Sequence, residues 1–326
     1  MSDVVVAVST YQGERFLAEQ LESLQRQTFA EWTLLLRDDG SRDSTRAIAE
    51  RFAAAEPRII LVPSASRLGP TQSFGSVLET AVARDAGYVF LCDQDDVWLP
   101  DKIQRQLDQM YAAEHALGVE TPLLVHSDLT VVDENLAVHQ PSFLQSQRLR
   151  HLTRRPLETL AVQNFATGCT MLANRALLDA ALPIPANAVL HDWWLALIAA
   201  GTGRILFDPV PLVLYRQHAA NAVGAKGYWL NLWDAVFRRG KKAGWKLGAI
   251  PPELEAVLRQ TEAAADWLAD FNPPAGRWLA EFVALWRDPP ARGRRLAALR
   301  RLGGRRLDPL RHLLLQARLF LATAQR

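Results

Sequence analysis

Three carboxylates within four positions follow an apolar run near residue 90 of this 326-residue chain. The run "YVFLC" leads directly into Asp93, Asp95 and Asp96. Because side chains alternate along a strand, Asp93 and Asp95 point the same way if the strand continues that far. Carboxylates this close repel each other, and Mg²⁺ or Mn²⁺ is usually held by one or two of them plus substrate phosphates. The pattern favours a divalent-cation site; a solvated acidic turn before a helix is the alternative.

A second acidic pair follows an earlier apolar run. The segment "WTLLLRDDGS" places Asp38 and Asp39 just after a predicted strand. An acidic residue there can accept hydrogen bonds from ribose hydroxyls or base N–H groups, although turn formation by Asp-Gly explains the same residues without a ligand. Neither G-x-G-x-x-G nor G-x-x-x-x-G-K-[ST] follows the first strand, so a metal would have to hold any phosphate.

Apolar runs alternate with helical patterns through the first part of the chain. This alternation predicts βαβ units, and therefore an α/β fold with a mostly parallel sheet. In such sheets ligands bind beyond the carboxyl ends of the strands. We therefore expect "STYQGE", "RDDGS" and "CDQDD" to converge on one crevice. The predicted strands are residues 3–8, 32–36, 59–62 and 88–92.

Charge is distributed unevenly along the sequence. Residues 1–224 carry 18 Lys and Arg against 26 Asp and Glu, whereas residues 225–326 carry 19 against 9. The change of character predicts two domains, residues 1–224 and a helical basic region at 225–326. Cys92 and Cys169 lie far apart in apolar surroundings, which favours two reduced core thiols over a disulfide or a zinc cluster.

The basic region contains segments that pair apolar faces with Arg and Lys. Residues 226–246 and 287–318 are expected to dock on an anionic membrane surface, although an ordinary helical subdomain explains the pattern as well. Nucleic acid is a poorer partner because no recognised binding motif accompanies the charge. No signal peptide or membrane span is predicted, so we expect a cytoplasmic protein, peripheral at the inner face of the cell membrane.

Three segments together resemble the family 2 glycosyltransferases of GT-A fold. They are "VVVAVSTYQGERFLAEQLESLQRQTFAEWTLLLRDDGSRDST", "SRLGPTQSF" and "YVFLCDQDDVWLPDKI". The forms "DQDDVW", "HDWW" and "YRQHAANAVGA" are most similar to the bacterial rhamnosyltransferases, which use dTDP-L-rhamnose. The resemblance covers residues 3–225 and implies a Rossmann-like sheet flanked by helices, to which the helical basic extension is added.

The resemblance implies a donor site on the strand ends. Asp95 would bind the divalent cation that bridges the donor diphosphate, and Asp93 would contact the ribose or the water shell of the metal. Arg67, in "SRLG", would approach a phosphate or the sugar. The residues implied to line the nucleoside pocket are Thr10, Tyr11, Asp38 and Asp39.

Two further residues are matched by the resemblance. Asp192, in "HDWW", matches the catalytic base; capping of the following helix is the alternative. His218, in "YRQH", matches a position that contacts the metal or the diphosphate; a hydrogen-bonded structural histidine is the alternative. His191 stands where many family members have an acidic residue, which leaves its role open, and the tryptophans of "DVW" and "HDWW" either stack on sugar or pack in the core.

These assignments predict an inverting, metal-dependent transfer of L-rhamnose from dTDP-L-rhamnose to a hydroxyl of a cell-surface glycan or lipid-linked acceptor. Direct displacement on a β-linked donor gives an α-rhamnoside. A UDP-sugar donor, a non-catalytic GT-A scaffold in a polysaccharide assembly complex and a sugar nucleotidyltransferase are the alternatives. The last lacks its expected Gly-rich, Lys-bearing loop, since "STYQGER" has one Gly and no Lys.

Overall fold

The computed structural model of the chain describes residues 3–218, 250, 252–288, 292–302 and 306–321. It divides into two compact units. The first holds residues 1–147 and 166–216, and the second holds residues 148–165 and 217–326. The predicted boundary between residues 224 and 225 lies outside the described residues. The inclusion of residues 148–165 in the second unit has no counterpart in the sequence prediction.

A mixed β-sheet organises the first unit. Within the described residues its strand order is β3-β2-β1-β4-β8-β6-β9-β5, and β7 pairs with β6. The α/β fold expected from the sequence is confirmed. The strands are β1 (Val4–Thr10), β2 (Trp32–Asp38), β3 (Ile59–Leu61), β4 (Tyr88–Cys92), β5 (Val97–Trp98), β6 (Leu123–Val132), β7 (Val138–Gln140), β8 (Leu172–Asn174) and β9 (Arg204–Arg216).

The first four strands form the parallel part of the sheet. β1 lies between β2 and β4, so Val6 pairs with both Leu34 and Phe90. All three side chains are fully buried, as continuous apolar runs in parallel strands require when both faces of the sheet are covered. The carboxyl ends of β1, β2 and β4 therefore meet at one edge, where the predicted site residues begin.

Antiparallel pairing completes the sheet beyond β4. β8 is antiparallel to both β4 and β6, and β6 runs parallel to β9. Gly203 permits the tight entry into β9, because an ideal Cβ there would lie 1.7 Å from the carbonyl oxygen of Pro122. The end of β9 is thereby brought alongside β5, which follows the acidic turn directly.

Helices cover the sheet and shape the site. A 3₁₀ turn at Gly168–Thr170 precedes β8. The helices of the first unit are α1 (Leu17–Gln25), α2 (Thr45–Ala55), α3 (Pro70–Val82), α4 (Lys102–Leu117), α5 (Phe143–Ser146), α7 (Arg175–Ala181) and α8 (His191–Thr202), and α6 (Pro156–Leu160) belongs to the second unit.

The described residues of the second unit are mainly helical, as expected for the basic region. Gly276 lets two of its helices pack closely, since an ideal Cβ there would lie 2.8 Å from the Ala265 carbonyl oxygen. Arg287 joins the same helices through an ion pair of 2.6 Å with Glu255. No helix within the described ranges is long and apolar enough to cross a membrane. The helices are α9 (Pro252–Phe271), α10 (Pro273–Arg287), α11 (Arg292–Leu302) and α12 (Pro309–Leu321).

Candidate active site

The acidic turn "DQDD" begins directly after β4, whose bounds agree with the predicted strand at 88–92. The sequence argument placed Asp93 and Asp95 on one side only if the strand continued past residue 92, and that condition is not met. Asp93 and Asp95 are half-buried, whereas Asp96 is fully buried. The turn thus presents two carboxylates toward solvent and encloses a third, which the sequence prediction had not assigned to the site.

Burial and mutual repulsion control the protonation of this turn. Burial, together with the charges of Asp95 and Asp192, raises the pKa of Asp93 to about 7. Burial also raises the pKa of Asp96 well above its ordinary value. Asp192 also lies near the turn, since it accepts from the Gly168 N–H and the adjacent Cys169 has its Sγ within 4.8 Å of an Asp93 carboxylate oxygen. Because ionised carboxylates repel here, a bound cation would stabilise their charged forms.

Arg216, the last residue of β9, holds the acidic turn in place. Its backbone N–H donates to Asp96 Oδ1 at 3.1 Å, and its Nε donates to the carbonyl oxygen of Asp95 at 2.9 Å. Its Nη1 and Nη2 donate to the Glu134 carbonyl oxygen and to the Glu19 carboxylate. The side chain is 1% exposed. The sequence prediction missed Arg216, because 120 residues separate it from its partner Asp96.

The potential metal ligands among the described residues form one tight group. It consists of Asp93, Asp96 and Cys169, each contributing one atom within 4.8 Å of the others. Asp95, the predicted ligand, is outside this group, and its role stays a prediction. Cys92 and Cys169 are both buried free thiols, as expected from the sequence.

Thr10 and Asp38, two of the residues predicted to line the nucleoside pocket, contact each other. They are register partners at the ends of β1 and β2, and Thr10 Oγ1 donates to Asp38 Oδ1 at 3.0 Å. Ser41 donates to the same carboxylate from its hydroxyl and from its backbone N–H, at 2.5 and 3.0 Å. Asp38 therefore also performs the turn-forming role that was the alternative to ligand binding.

Asp39 is engaged by the loop before α3. Its Oδ1 accepts from Arg37 Nη1 at 2.6 Å and from the Leu68 N–H at 2.7 Å, and its Oδ2 accepts from the Gly69 N–H at 2.8 Å. Both Arg37 and Asp39 are almost completely buried. The hydrogen bonds from the Leu68 and Gly69 N–H groups offset part of the cost of burying the Arg37–Asp39 ion pair. Asp39 fixes this loop whether or not it also contacts a nucleoside.

Tyr11 connects the nucleoside side to the acidic turn. Its backbone N–H donates to Gln94 Oε1 at 2.8 Å, and Gln94 Nε2 donates back to the Tyr11 carbonyl oxygen at 3.0 Å. Gly13 leaves room for this amide, because an ideal Cβ at that position would lie 2.4 Å from Gln94 Oε1. The guanidinium of Arg67 lies 3.9 Å from the Tyr11 ring centroid, which puts Arg67 beside the predicted nucleoside residues.

Asp192 is the second residue of α8 and is 9% exposed. The N-cap position belongs to Leu190, so Asp192 is not the helix cap that was considered as its alternative role. Its Oδ2 accepts from the Gly168 N–H at 3.0 Å and its Oδ1 from the Trp193 N–H at 2.5 Å. Burial raises its pKa to about 6 despite these hydrogen bonds. The carboxylate is thus held firmly and titrates near neutrality.

The aromatic residues near Asp192 pack inside the protein. Trp98, Trp193 and Trp194 are at most 2% exposed, which favours core packing over sugar stacking for all three. His191 stacks on Phe74 with ring centroids 3.9 Å apart. Burial lowers the pKa of His191 to about 3, so its imidazole is neutral at physiological pH. His191 therefore cannot replace the charge of the acidic residue common at this position.

His218 lies two residues beyond the end of β9, in the second unit. It is half-buried. Its predicted contact with metal or diphosphate stays a prediction. The other predicted site residues all belong to the first unit, at or beyond the carboxyl ends of β1, β2 and β4 or on α8.

The strand-end carboxylates lie at the edge of an α/β sheet where such folds bind their ligands. The model of glycosyl transferase family 2 matches residues 5–178, more than half of the chain. The chain belongs to this family.

Two curated relatives illustrate its range. The chain is 27% identical over 228 residues to the dTDP-rhamnosyl transferase RfbG of Shigella flexneri, covering 67% of this chain and 74% of RfbG. It is 24% identical over 182 residues to an Escherichia coli relative, covering 55% of this chain and 64% of that protein. The latter is the UDP-Glc:alpha-D-GlcNAc-diphosphoundecaprenol beta-1,3-glucosyltransferase WfgD.

Solved structures support the GT-A fold. Residues 1–349 of S. aureus TarS in complex with UDP-GlcNAc match with a TM-score of 0.57 at 17% identity, covering 98% of this chain and 88% of that one. The mannosyltransferase PcManGT from Pyrobaculum calidifontis, in complex with GDP-Man and Mn²⁺, matches with a TM-score of 0.52 at 17% identity. That match covers 98% of this chain and 84% of PcManGT.

Proposed function

We propose that this chain transfers L-rhamnose from dTDP-L-rhamnose to a hydroxyl of a glycan or lipid-linked acceptor, with inversion to an α-rhamnoside. The observation that carries the proposal is the nearness of Asp192 to the acidic turn. Asp192 Oδ2 accepts from the Gly168 N–H at 3.0 Å, and the adjacent Cys169 has its Sγ within 4.8 Å of a carboxylate oxygen of Asp93. A donor diphosphate and an attacking hydroxyl would need such groups side by side. The printed name of RfbG supports the choice of donor.

The residues of the acidic turn fit the divalent cation that the family implies. Asp93 and Asp95 are half-buried carboxylates, and oxygen ligands suit Mg²⁺ or Mn²⁺. Burial and neighbouring charge raise the pKa of Asp93, so a cation would relieve an unfavourable state. Asp95 and Asp93 would hold the cation. Once bound, the cation would stabilise the negative charge that develops on the departing dTDP.

The nucleoside would lie against Tyr11, between Thr10, Asp38 and Asp39. The acidic turn is kept at a fixed distance from this pocket by the two hydrogen bonds between Gln94 and Tyr11. Arg67 rests on the Tyr11 ring, where its charge would assist binding of the nucleotide. The pocket would thus position the donor before the acceptor arrives, which reduces the entropic cost of reaction.

Asp192 would act as the general base. In a single displacement, the acceptor oxygen forms a bond to C1 of the sugar while the bond from C1 to the diphosphate oxygen breaks. The hydroxyl proton passes to the Asp192 carboxylate, and dTDP leaves with the bonding electron pair. Because burial raises the pKa of Asp192 to about 6, the carboxylate is ionised at neutral pH and is still basic enough to accept a proton.

Calorimetric titration of dTDP and UDP, with Mn²⁺ or Mg²⁺ and with EDTA, tests the donor site. We expect metal-dependent binding of dTDP that Asp95→Ala weakens by at least about 10-fold, since even outer-shell changes at metal sites cost 10–100-fold. Asp270→Ala, at an exposed position of α9, is the matched control and should bind like the wild type.

Other results of this titration would change the proposed donor, the proposed cation ligand or the proposed activity. Tighter binding of UDP than of dTDP would keep the mechanism but replace the donor, as the name of WfgD makes plausible. Unchanged binding by Asp95→Ala would remove the cation from that residue. No nucleotide binding under any condition would favour the non-catalytic scaffold. Release of dTDP from dTDP-L-rhamnose with an added acceptor then tests transfer itself.

We also propose that the basic region docks a cytoplasmic enzyme on the inner face of the cell membrane, close to a lipid-linked acceptor. In the described part of this region, α11 has five Arg residues and no acidic residue. Arg294, Arg300 and Arg301 are exposed. Anionic lipids attract such side chains by about 1 kcal/mol each. The other predicted segment, residues 226–246, lies outside the described residues.

Co-sedimentation with vesicles containing phosphatidylglycerol tests this docking. We expect binding that weakens as salt is added, and a roughly 30-fold loss for Arg294→Gln combined with Arg300→Gln, since two charges contribute about 2 kcal/mol. Arg46→Gln combined with Arg51→Gln, on the exposed side of α2, should bind like the wild type. Absence of binding at low salt would contradict docking and leave an ordinary helical subdomain.

A further inference from the structure

Cys169 lies beside the acidic turn, and the donor mechanism makes no use of it. Its Sγ, one carboxylate oxygen of Asp93 and one of Asp96 all lie within 4.8 Å of one another. The backbone that carries Cys169 is fixed by the 3₁₀ turn, where the Thr170 N–H donates to the Thr167 carbonyl oxygen at 3.0 Å. The thiol is therefore held at this place by the main chain.

A second observation indicates that this group lacks a ligand. Asp96 is 0% exposed; the Cys169 thiol donates a hydrogen bond to its carboxylate, and no N–H or O–H group of the described residues donates to its Oδ2. Its Oδ1 is satisfied by the Arg216 N–H. A buried polar atom without a partner costs about 1–3 kcal/mol. An atom that bound Asp96 Oδ2 and its neighbours would recover this cost.

The spacing fits a small tetrahedral ion. Zinc binds thiolate sulfur at about 2.3 Å and carboxylate oxygen at about 2.0–2.2 Å, so two ligands of one ion are roughly 3.5 Å apart. Atoms within 4.8 Å of one another reach that arrangement by side-chain movements of about an ångström. Asp93, the half-buried member, provides the route of entry from solvent. A sulfur ligand selects softer ions than the carboxylates alone would.

We propose that Asp93, Asp96 and Cys169 form a binding site for a soft divalent cation of the Zn²⁺ or Cd²⁺ class. On binding, the sulfur–hydrogen bond of Cys169 breaks, the proton leaves to solvent, and a sulfur–metal bond forms. Solvent fills the fourth position. The site shares Asp93 with the proposed donor site but does not depend on which nucleotide, if any, this chain binds.

One neighbouring positive charge opposes the ion. Lys102, on α4, is fully buried, lies 4.4 Å from the Trp98 ring centroid and donates to Gln106. Its ammonium is directed to Gln106 and to the Phe90 and Trp98 rings, and it forms no ion pair with Asp93 or Asp96 among the described residues. Arg216, which touches both Asp95 and Asp96, directs its guanidinium to the Asp95 and Glu134 carbonyl oxygens and to Glu19.

Cadmium titration of the full chain without nucleotide tests the site. A phosphine reductant is used, because thiol reductants bind cadmium. We expect the ultraviolet sulfur-to-cadmium charge-transfer band to appear and saturate at one ion per chain. Cys169→Ser should abolish the band, and Asp96→Asn should weaken binding at least about 10-fold. Cys92→Ser is the matched control and should keep the band, since Cys92 is the other buried thiol.

Three results would overturn the proposal. They are the absence of a saturable band in the wild type, a band that persists in Cys169→Ser, and a band that Cys92→Ser removes. Cadmium NMR of the wild type gives the ligand composition without any variant, and a shift typical of oxygen ligands alone would also overturn it. Loss of nucleotide binding in the earlier titration would leave this site unaffected, so failure of either proposal is recognisable.

Discussion

Replacing Asp192 with asparagine is expected to lower the transfer rate by about 10²–10⁴-fold, the usual contribution of a general base. The substitution keeps the shape of the side chain and one oxygen that can accept the Gly168 N–H. It removes the ability to take a proton. Binding of dTDP is expected to be retained, because Asp192 is not a proposed ligand of the cation or the nucleotide, and loss of its charge only relieves repulsion on Asp93. Initial rates of dTDP release and calorimetry on the same preparation separate these effects.

The pH profile of the wild type distinguishes a base from a structural carboxylate. Burial raises the pKa of Asp192 to about 6, so the group is protonated and inactive below that pH. At saturating metal and donor, where the cation keeps Asp93 ionised, the rate should therefore rise with pH through about 6, and Asp192→Asn should lose this limb. Asp270→Asn serves as the matched control. If Asp192→Asn kept more than about a tenth of the activity, the base assignment would fail, since a base contributes at least about 10²-fold.

Replacing Arg216 with methionine is expected to destabilise the first unit by about 2–4 kcal/mol. Methionine fills the volume but leaves the Asp95 and Glu134 carbonyl oxygens without their donors, and such losses cost about 1–3 kcal/mol each. Glu19 contributes little to the loss, because its side chain is 42% exposed and water can solvate it. The Arg216 N–H still donates to Asp96.

Urea unfolding measures this effect, and calorimetry with Mn²⁺ and dTDP measures its consequence. Because the turn is then held by fewer contacts, metal-dependent nucleotide binding should weaken together with stability. Arg259→Met is the matched control: Arg259 is 63% exposed and pairs with Glu255 at 3.1 Å, so its loss should cost less than about 1 kcal/mol. Equal unfolding midpoints for Arg216→Met and Arg259→Met would show that Arg216 does not hold the turn.

The sequence predicted the parts of the structure that depend on residues close together in the chain. The buried strands β1, β2 and β4 are short apolar runs, and the fold of the first unit follows from their alternation with helices. The convergence of the segments after these strands follows from parallel pairing. It brings Thr10 to Asp38 by register and Tyr11 to Gln94 by hydrogen bonding.

What could not be predicted depends on contacts between distant residues. The end of β4 at Cys92 agrees with the predicted strand, but the full burial of Asp96 beside two half-buried carboxylates is not visible in composition. Arg216 reaches the acidic turn only because β9 pairs with β5 and β6. Cys169 joins Asp96 through the 3₁₀ turn before β8. Motif spacing within a single sequence contains no signal for any of these juxtapositions.

The amide of Gln94 limits which residues can replace Gly13 as the sequence changes. It occupies the space that a side chain at position 13 would need, so positions 13 and 94 constrain each other. A residue larger than glycine at 13 either displaces the Gln94 amide or requires a shorter residue at 94, and in both cases the Tyr11 backbone loses its two hydrogen bonds to this amide. The two positions are therefore expected to change together, and a library that varies only one of them would sample mostly misassembled pockets.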